Sequence, residues 1–103
     1  MNILQRLFGA APTVDLQQVI DDGAFLVDVR TPGEFAQGHV KGSVNIPVDA
    51  ISAKLSLFKN KKNIIVFCRS GGRSSMAQGI LQQNGFTNVI NGGTWDYVNR
   101  FVK

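Results

Sequence analysis

The residue best suited to chemistry in this chain is its single cysteine, Cys68. It follows the apolar run 63–67 and precedes two adjacent glycines, Gly71 and Gly72. Such a glycine pair lets the backbone turn tightly with its N–H groups pointing inward, which makes a small anion-binding nest. The helix predicted to follow adds the positive end of its dipole. We therefore expect the Cys68 thiol to have a lowered pKa and to act as a nucleophilic thiolate or carry an anionic sulfur.

Two arginines, Arg69 and Arg73, flank the same turn. A cysteine at the end of a strand can also be no more than a small buried apolar residue. The glycine pair, the two cations and the helix start occur together here, however. That combination favours a chemical role for Cys68.

Segments typical of strands and helices alternate along the chain. Short apolar runs predict strands at 25–29, 44–46, 63–67 and 89–90. Helical patterns predict a first helix from about Leu16 to Gly23, one turn at 34–36, and helices over 48–57, 74–84 and 94–101. The buried face of the helix over 74–84 is predicted to carry Met76, Ala77, Ile80 and Leu81. Residues 91–93, Asn-Gly-Gly, are predicted to form a turn.

This alternation predicts an α/β fold with a mainly parallel, twisted sheet flanked by helices on both faces. Functional sites in such sheets lie at the carboxyl ends of the strands. Two segments with charged residues, 28–30 and 68–73, lie at or directly after the carboxyl ends of predicted strands. We expect them to meet at one edge of the sheet.

The bulk properties restrict the class of protein. With 103 residues we expect a single domain over 13–103, preceded by an N-terminal arm or short helix at 1–12. The net charge of +4 favours small anions or acidic partners, but the cations form no single stripe, so no nucleic acid is expected. No segment has the length of a membrane span. One cysteine excludes an intramolecular disulfide and fits a reducing compartment, so we expect a cytoplasmic protein. We also expect a monomer without metal or cofactor.

Four segments, in order along the chain, resemble motifs of the rhodanese family. Residues 28–30 with 34–35 resemble its D-x-R…E-[FY] element. Residues 38–47 are similar to G-H-I-x-G-A-x-N-I-P, with two mild substitutions. Residues 68–73 resemble the six-residue active loop, and 91–95 resemble the closing G-G…W element. The resemblance covers nearly the whole chain and implies a rhodanese-like three-layer domain.

The resemblance implies a sulfurtransferase in which Cys68 is the catalytic nucleophile. Its thiolate would attack the sulfane sulfur of thiosulfate or another small anionic donor, release sulfite and become a persulfide. Cyanide or a thiol would then remove the terminal sulfur, which is two-step covalent catalysis. Loop N–H groups would stabilise the persulfide anion. The substrate-binding residues implied for the loop are Arg69, Ser70, Gly71, Gly72, Arg73 and Ser74.

The charged side chains near Cys68 are expected to differ in role. Arg69 is expected to be exposed at the mouth of the loop, where it steers the donor. Arg73 has two roles open to it: binding the sulfonate of thiosulfate, or a structural ion pair with Asp28 or Glu34. Asp28 and Arg30 are expected to hold two loops together through charge-assisted hydrogen bonds.

The single histidine, His39, is expected to be structural, because persulfide transfer needs no base once the thiolate exists. Phe35 and Trp95 are expected to pack in the core or at the rim of the site rather than bind substrate.

Three alternatives to a thiosulfate sulfurtransferase stay open. A cysteine phosphatase or arsenate reductase of related architecture uses a Cys-x5-Arg loop, whereas Cys68 and Arg73 are separated by four residues. An arsenate reductase usually also needs a resolving cysteine, which this chain lacks. Inactive binding modules of the same fold typically lack the loop cysteine. A sulfur relay would keep the persulfide but pass its sulfur to a partner protein.

Overall fold

The computed structural model of the protein describes residues 14–103, so the arm predicted at 1–12 lies outside the described residues. The α-helices are α1 (Leu16–Asp21), α2 (Pro32–Gln37), α3 (Gly72–Gln83) and α4 (Trp95–Asn99). The strands are β1 (Phe25–Asp28), β2 (Val44–Asn45), β3 (Ile64–Cys68) and β4 (Val89–Thr94). Two 3-10 helices, Val48–Ala53 and Leu55–Phe58, lie between β2 and β3. None of the helices in residues 14–103 combines the length and the apolar character of a membrane span.

The four strands form one parallel sheet in the order β2-β1-β3-β4, which confirms the predicted α/β architecture. One face of the sheet packs against the 3-10 helices and α3. The other face packs against α1 and α4. All five residues of β3 are buried, because helices cover both faces and strands pair with both of its edges. The strand that ends at Cys68 is thus the most enclosed of the sheet.

The short helix α2 begins directly after β1, and local hydrogen bonds fix its start. The Thr31 hydroxyl accepts from the Glu34 N–H, and the Glu34 carboxylate accepts from the Thr31 N–H, which completes a capping box. Pro32 occupies the first turn, where its missing N–H costs nothing. A helix of six residues depends on such contacts, since helices this short are unstable in isolation.

The helix predicted over 48–57 is wrong in type, because the segment forms two 3-10 helices. Side chains three residues apart lie on the same side of a 3-10 helix. Ile51 and Phe58 are buried, and the residues three positions before them, Val48 and Leu55, pack against the same core. Over the whole segment these four positions are separated by three, four and three residues, which is why the pattern also fits an α-helix. Lys54, with φ of −127° and ψ of 29°, has a non-helical backbone and divides the segment into two short 3-10 helices.

The turn predicted at 91–93 is also wrong, because β4 continues through it to Thr94. The neighbouring residues Val66 and Phe67 of β3 pair with β4 residues two positions apart, and Gly92 is the extra residue between those partners. This arrangement is a β-bulge, which re-aims the end of the strand. Asn-Gly-Gly is typical of turns, but pairing with β3 overrides that local preference.

The buried face of α3 differs from the prediction at one residue. Ser74, Ala77 and Leu81 are buried, and Ile80 is half-buried against the core. Met76 is instead 60% exposed. It precedes Ala77 by one residue, and one residue turns an α-helix by about 100°, so Met76 faces solvent.

The bulge predicts a large effect of a single methyl group at Gly92. A Cβ there would lie 2.7 Å from Val98 Cγ2 and 3.0 Å from Ile65 Cγ2. We expect Gly92→Ala to lower the free energy of unfolding by about 1–3 kcal/mol, measured by urea denaturation. Gly79→Ala is the matched control: nothing lies within 4 Å of its added Cβ, and alanine should stabilise the middle of α3. Equal stability of the two variants would contradict this account of the bulge.

Candidate active site

Cys68 is the last residue of β3, and its side chain is fully buried opposite Thr94 of β4. The helix α3 begins at Gly72, two residues earlier than the predicted start. Its N-cap is Gly71, whose φ of +97° lies in the left-handed region that favours glycine. The chain thus passes from a buried strand to a helix N-terminus within three residues, 69–71.

The Cys68 sulfur lies inside this turn and accepts hydrogen bonds. The Gly71 N–H is 3.0 Å from Sγ. Burial by itself raises the pKa of the Cys68 thiol, whereas hydrogen bonds from the Ser74 side chain and from the N–H groups of Ser74, Ser70 and Gly71 lower it. The hydrogen bonds prevail, and the pKa lies below its ordinary value. The arrangement therefore stabilises an anionic sulfur at this position.

Ser74 connects the sulfur to the surrounding backbone. Its buried Oγ lies 3.5 Å from Cys68 Sγ, 3.0 Å from the Gly71 carbonyl oxygen and 3.4 Å from the Gly93 carbonyl oxygen. With a neutral thiol, the S–H can donate to Ser74 while the hydroxyl donates to a carbonyl. With a thiolate, the hydroxyl can rotate and donate to sulfur. Ser74 can therefore hydrogen-bond to Cys68 both as a thiol and as a thiolate.

Arg73 forms an ion pair with Glu34, one of the two partners considered from the sequence. Its Nη1 lies 2.6 Å from Glu34 Oε1 and its Nη2 lies 3.1 Å from Oε2. Hydrogen bonds from Arg73, and then from the Thr31 N–H, lower the pKa of the Glu34 carboxyl to about 2. This two-point contact ties α2 to the first turn of α3.

The other considered partner, Asp28, is engaged by Arg30. Arg30 Nε lies 3.0 Å from both carboxylate oxygens of Asp28, and Nη2 lies 2.7 Å from Oδ2. The same Nη2 donates to the Gly38 carbonyl oxygen at 2.7 Å. The guanidinium also lies 4.7 Å from the centre of the Trp95 ring, a cation–π contact. This buried pair links the end of β1, the segment after α2 and the start of α4.

A pocket of about 320 Å³ opens beside the loop. The lining residues are Arg30, Glu34, Gln37, Gly38, Arg69 and Trp95. Arg69 is exposed, and the two ion pairs within residues 14–103 engage other arginines. Of the two arginines that line the pocket, Arg69 is therefore the one that forms no ion pair with a carboxylate of residues 14–103.

Two residues of the pocket wall, Gln37 and Gly38, have no individual role predicted from the sequence. Gln37 and Gly38 end α2, and they reach the site only because α2 packs beside the loop.

His39 stacks on Phe35 with ring centres 3.8 Å apart, and its Nδ1–H donates to the Phe35 carbonyl at 2.9 Å. No group of three or more His, Cys, Asp or Glu side chains in residues 14–103 is placed to hold a metal ion.

The fold and the site together define a class: α/β proteins with a parallel sheet and a strand-end thiol held by a loop at a helix N-terminus. Residues 13–98 match the rhodanese-like domain family. The chain belongs to this family.

Individual relatives agree with the family assignment. The chain is 36% identical over 70 residues to a sulfurtransferase of Allochromatium vinosum, covering 68% of this chain and 65% of that protein. It is also 36% identical over 69 residues to a thiosulfate sulfurtransferase of Escherichia coli, covering 65% and 66%. The chain thus spans just under two thirds of the length of these curated relatives. A solved structure of a rhodanese with anions from E. coli superposes with a TM-score of 0.66 at 32% identity, covering 73% of this chain and 91% of that one.

The contacts of Ser74 predict a pH-dependent effect of its removal. Ser74→Ala deletes a hydrogen-bond donor to the sulfur, so the pKa of Cys68 should rise and the thiolate should form only at higher pH. The measurement is the rate of Cys68 alkylation by iodoacetamide as a function of pH, whose midpoint should move upward. Ser75→Ala is the matched control, since Ser75 is exposed on the same helical turn. An unchanged midpoint in Ser74→Ala would contradict this role.

Proposed function

We propose that the protein is a sulfurtransferase that carries sulfane sulfur from thiosulfate or a related donor to a thiophilic acceptor as a Cys68 persulfide. The single observation that carries the proposal is the Gly71 N–H at 3.0 Å from the Cys68 sulfur, within a turn that lowers the pKa of the thiol. Membership of the rhodanese-like family and sulfurtransferase relatives support it.

In the first half-reaction the Cys68 thiolate attacks the outer sulfur of thiosulfate. A bond forms between Sγ and that sulfur, while the bond from that sulfur to the sulfonate sulfur breaks. The electron pair of the broken bond leaves with sulfite, and the negative charge of the thiolate passes to the terminal sulfur of the persulfide. No proton needs to move, which agrees with a site in which His39 contacts α2 instead of the cysteine.

The depth of the sulfur favours a donor that presents a single atom. Cys68 is fully buried beneath its loop, so an incoming group must reach it end-on. A sulfane sulfur meets that requirement, whereas the tetrahedral centre of a phosphate ester is shielded by its oxygens. The loop is also one residue shorter than the Cys-x5-Arg loop of the phosphatases described above. Both features favour sulfur transfer over phosphoryl transfer.

The loop residues then take distinct roles in the proposed reaction. Backbone N–H groups from Ser70 to Ser74 surround the terminal sulfur and stabilise its charge. They are available because the left-handed backbone at Gly71 lets the chain turn beside the sulfur. Arg69 attracts the anionic donor at the mouth of the pocket.

The second half-reaction needs an acceptor from outside the chain. Cys68 is the only cysteine, so no neighbouring thiol of the same chain can resolve the persulfide. Cyanide serves as acceptor in an assay, and a small thiol or the thiol of a partner protein would serve in the cell. A lone thiol that must be reduced between turnovers suits the cytoplasm.

The proposal predicts that Cys68→Ser abolishes thiosulfate:cyanide sulfurtransferase activity, because a serine hydroxyl forms no persulfide. Mass spectrometry of the wild-type protein after thiosulfate treatment should show one added sulfur atom on the peptide containing Cys68. Cyanide should remove that sulfur and release thiocyanate. Turnover of para-nitrophenyl phosphate without any sulfur adduct would instead favour the phosphatase alternative.

The position of Arg69 predicts an effect on substrate capture. Arg69→Ala should raise the KM for thiosulfate by roughly threefold to fivefold and leave kcat largely unchanged, since the charge acts before the sulfur is transferred. The increase should diminish at high ionic strength. Lys54→Ala removes the same charge from an exposed position outside the pocket lining and controls for net charge. A loss of kcat without a change in KM would refute the steering role.

A further inference from the structure

The Glu34 carboxylate pairs with both terminal nitrogens of the Arg73 guanidinium. Nη1 lies 2.6 Å from Oε1, and Nη2 lies 3.1 Å from Oε2. The two terminal nitrogens of the arginine therefore both bind the carboxylate. Both side chains are about 30% exposed, at 33% and 28%, so the pair lies at the surface of the site. Glu34 itself lines the pocket.

The carboxylate is held in place independently of Arg73. Glu34 Oε1 also accepts from the Thr31 N–H and the Thr31 hydroxyl, each at 3.1 Å. The pKa of Glu34, about 2, keeps the group ionised throughout the neutral range. Glu34 is thus a fixed negative charge presented by the N-terminus of α2.

Arg73 lies within electrostatic reach of the sulfur, since it directly precedes Ser74, whose Oγ is 3.5 Å from Cys68 Sγ. Hydrogen bonding to Glu34 raises the pKa of Arg73 most, and attraction to Cys68 and Asp28 raises it further. An arginine so placed could bind the oxyanion of a donor if its fork were free. The ion pair with Glu34 occupies the Nη1 and Nη2 side of that fork and neutralises its charge.

We infer that Glu34 is a specificity-determining residue, which withholds Arg73 from the anionic donor and leaves Arg69 as the cation that attracts it. The inference rests on the proposed function and sharpens it, because it assigns the charge selectivity of the same site. A second free arginine would bind the sulfonate of thiosulfate and the product sulfite alike. Such uniform binding lowers KM but slows release of sulfite.

Glu34→Gln is the informative variant. Glutamine can still accept from the Thr31 N–H and complete the capping box, so the start of α2 is retained. The carboxylate charge is lost and Arg73 is released. The companion variants are Arg73→Ala and the double variant Glu34→Gln/Arg73→Ala.

The first readout is the pH midpoint of Cys68 alkylation by iodoacetamide, which requires no turnover. Glu34→Gln should lower the midpoint, because a negative charge is removed and a cation freed near the thiolate. Arg73→Ala should raise it, and the double variant should lie close to the wild type. A loosened loop would lose the hydrogen bonds of Gly71 and Ser74 and raise the midpoint in all three variants. The two explanations thus predict opposite signs for Glu34→Gln.

The other charged groups around the loop are unchanged in these variants. They are Asp28 and Arg30 at the end of β1 and Arg69 in the loop. The first 3-10 helix, packed on α3, contributes the exposed Asp49, and β4 contributes no titratable side chain. A downward shift of the midpoint in Glu34→Gln therefore reports on the charges of the Glu34–Arg73 pair.

The second readout is protection of Cys68 from alkylation by inorganic sulfate at constant ionic strength. Sulfate stands in for the sulfonate end of the donor. The sulfate concentration that halves the alkylation rate should fall roughly threefold to tenfold in Glu34→Gln, and this gain should vanish in the double variant.

These outcomes separate the two proposals. If Glu34→Gln neither lowers the midpoint nor strengthens protection by sulfate, the role of Glu34 is overturned. If both effects occur but thiosulfate adds no sulfur to Cys68, the charge role stands and the sulfurtransferase proposal fails.

Discussion

A buried sulfur anion is costly unless hydrogen bonds replace the water it has lost, and that constraint organises this structure. Cys68 ends the most enclosed strand of the sheet, where solvent reaches none of its surface. Gly71 and Ser74 supply hydrogen bonds that outweigh the effect of burial on the thiol. The left-handed backbone at Gly71 lets the chain turn from the loop into α3 directly after this hydrogen bond. The end of β3, the glycine turn and the start of α3 therefore act together to hold the sulfur.

Two ion pairs join the segments around the loop, and each neutralises an arginine of the site. Asp28 and Arg30 are both buried, and their pair is sustained by the Gly38 carbonyl and the Trp95 ring. A buried pair of this kind is weak evidence for added stability, because both charges lose their hydration. Its contribution is geometric, since it joins three segments around the pocket. The Glu34–Arg73 pair does the same between α2 and α3.

The edge of the sheet beside Cys68 depends on one extra residue. Without the bulge at Gly92, β4 would continue in register and place a different residue opposite Cys68. With it, Thr94 takes that position and also caps α4 by accepting from the Tyr97 N–H. The Gly93 carbonyl is directed to Ser74 in the same arrangement. Two glycines therefore contribute to the site from a strand whose sequence is typical of a turn.

The sequence by itself determined the alternation of strands and helices, the parallel sheet, and the turn around Cys68. Those features follow from local patterns: an apolar run, a glycine pair and a helix start lie within twelve consecutive residues, 63–74. Tertiary structure decided which carboxylate Arg73 meets, since Glu34 is 39 residues away and Asp28 was also considered as a partner. It also decided the bulge at Gly92, where pairing with β3 outweighs the turn preference of Asn-Gly-Gly. Local sequence thus specified the turn that surrounds the Cys68 thiol, and long-range packing specified the charges around it, because only packing brings distant segments together.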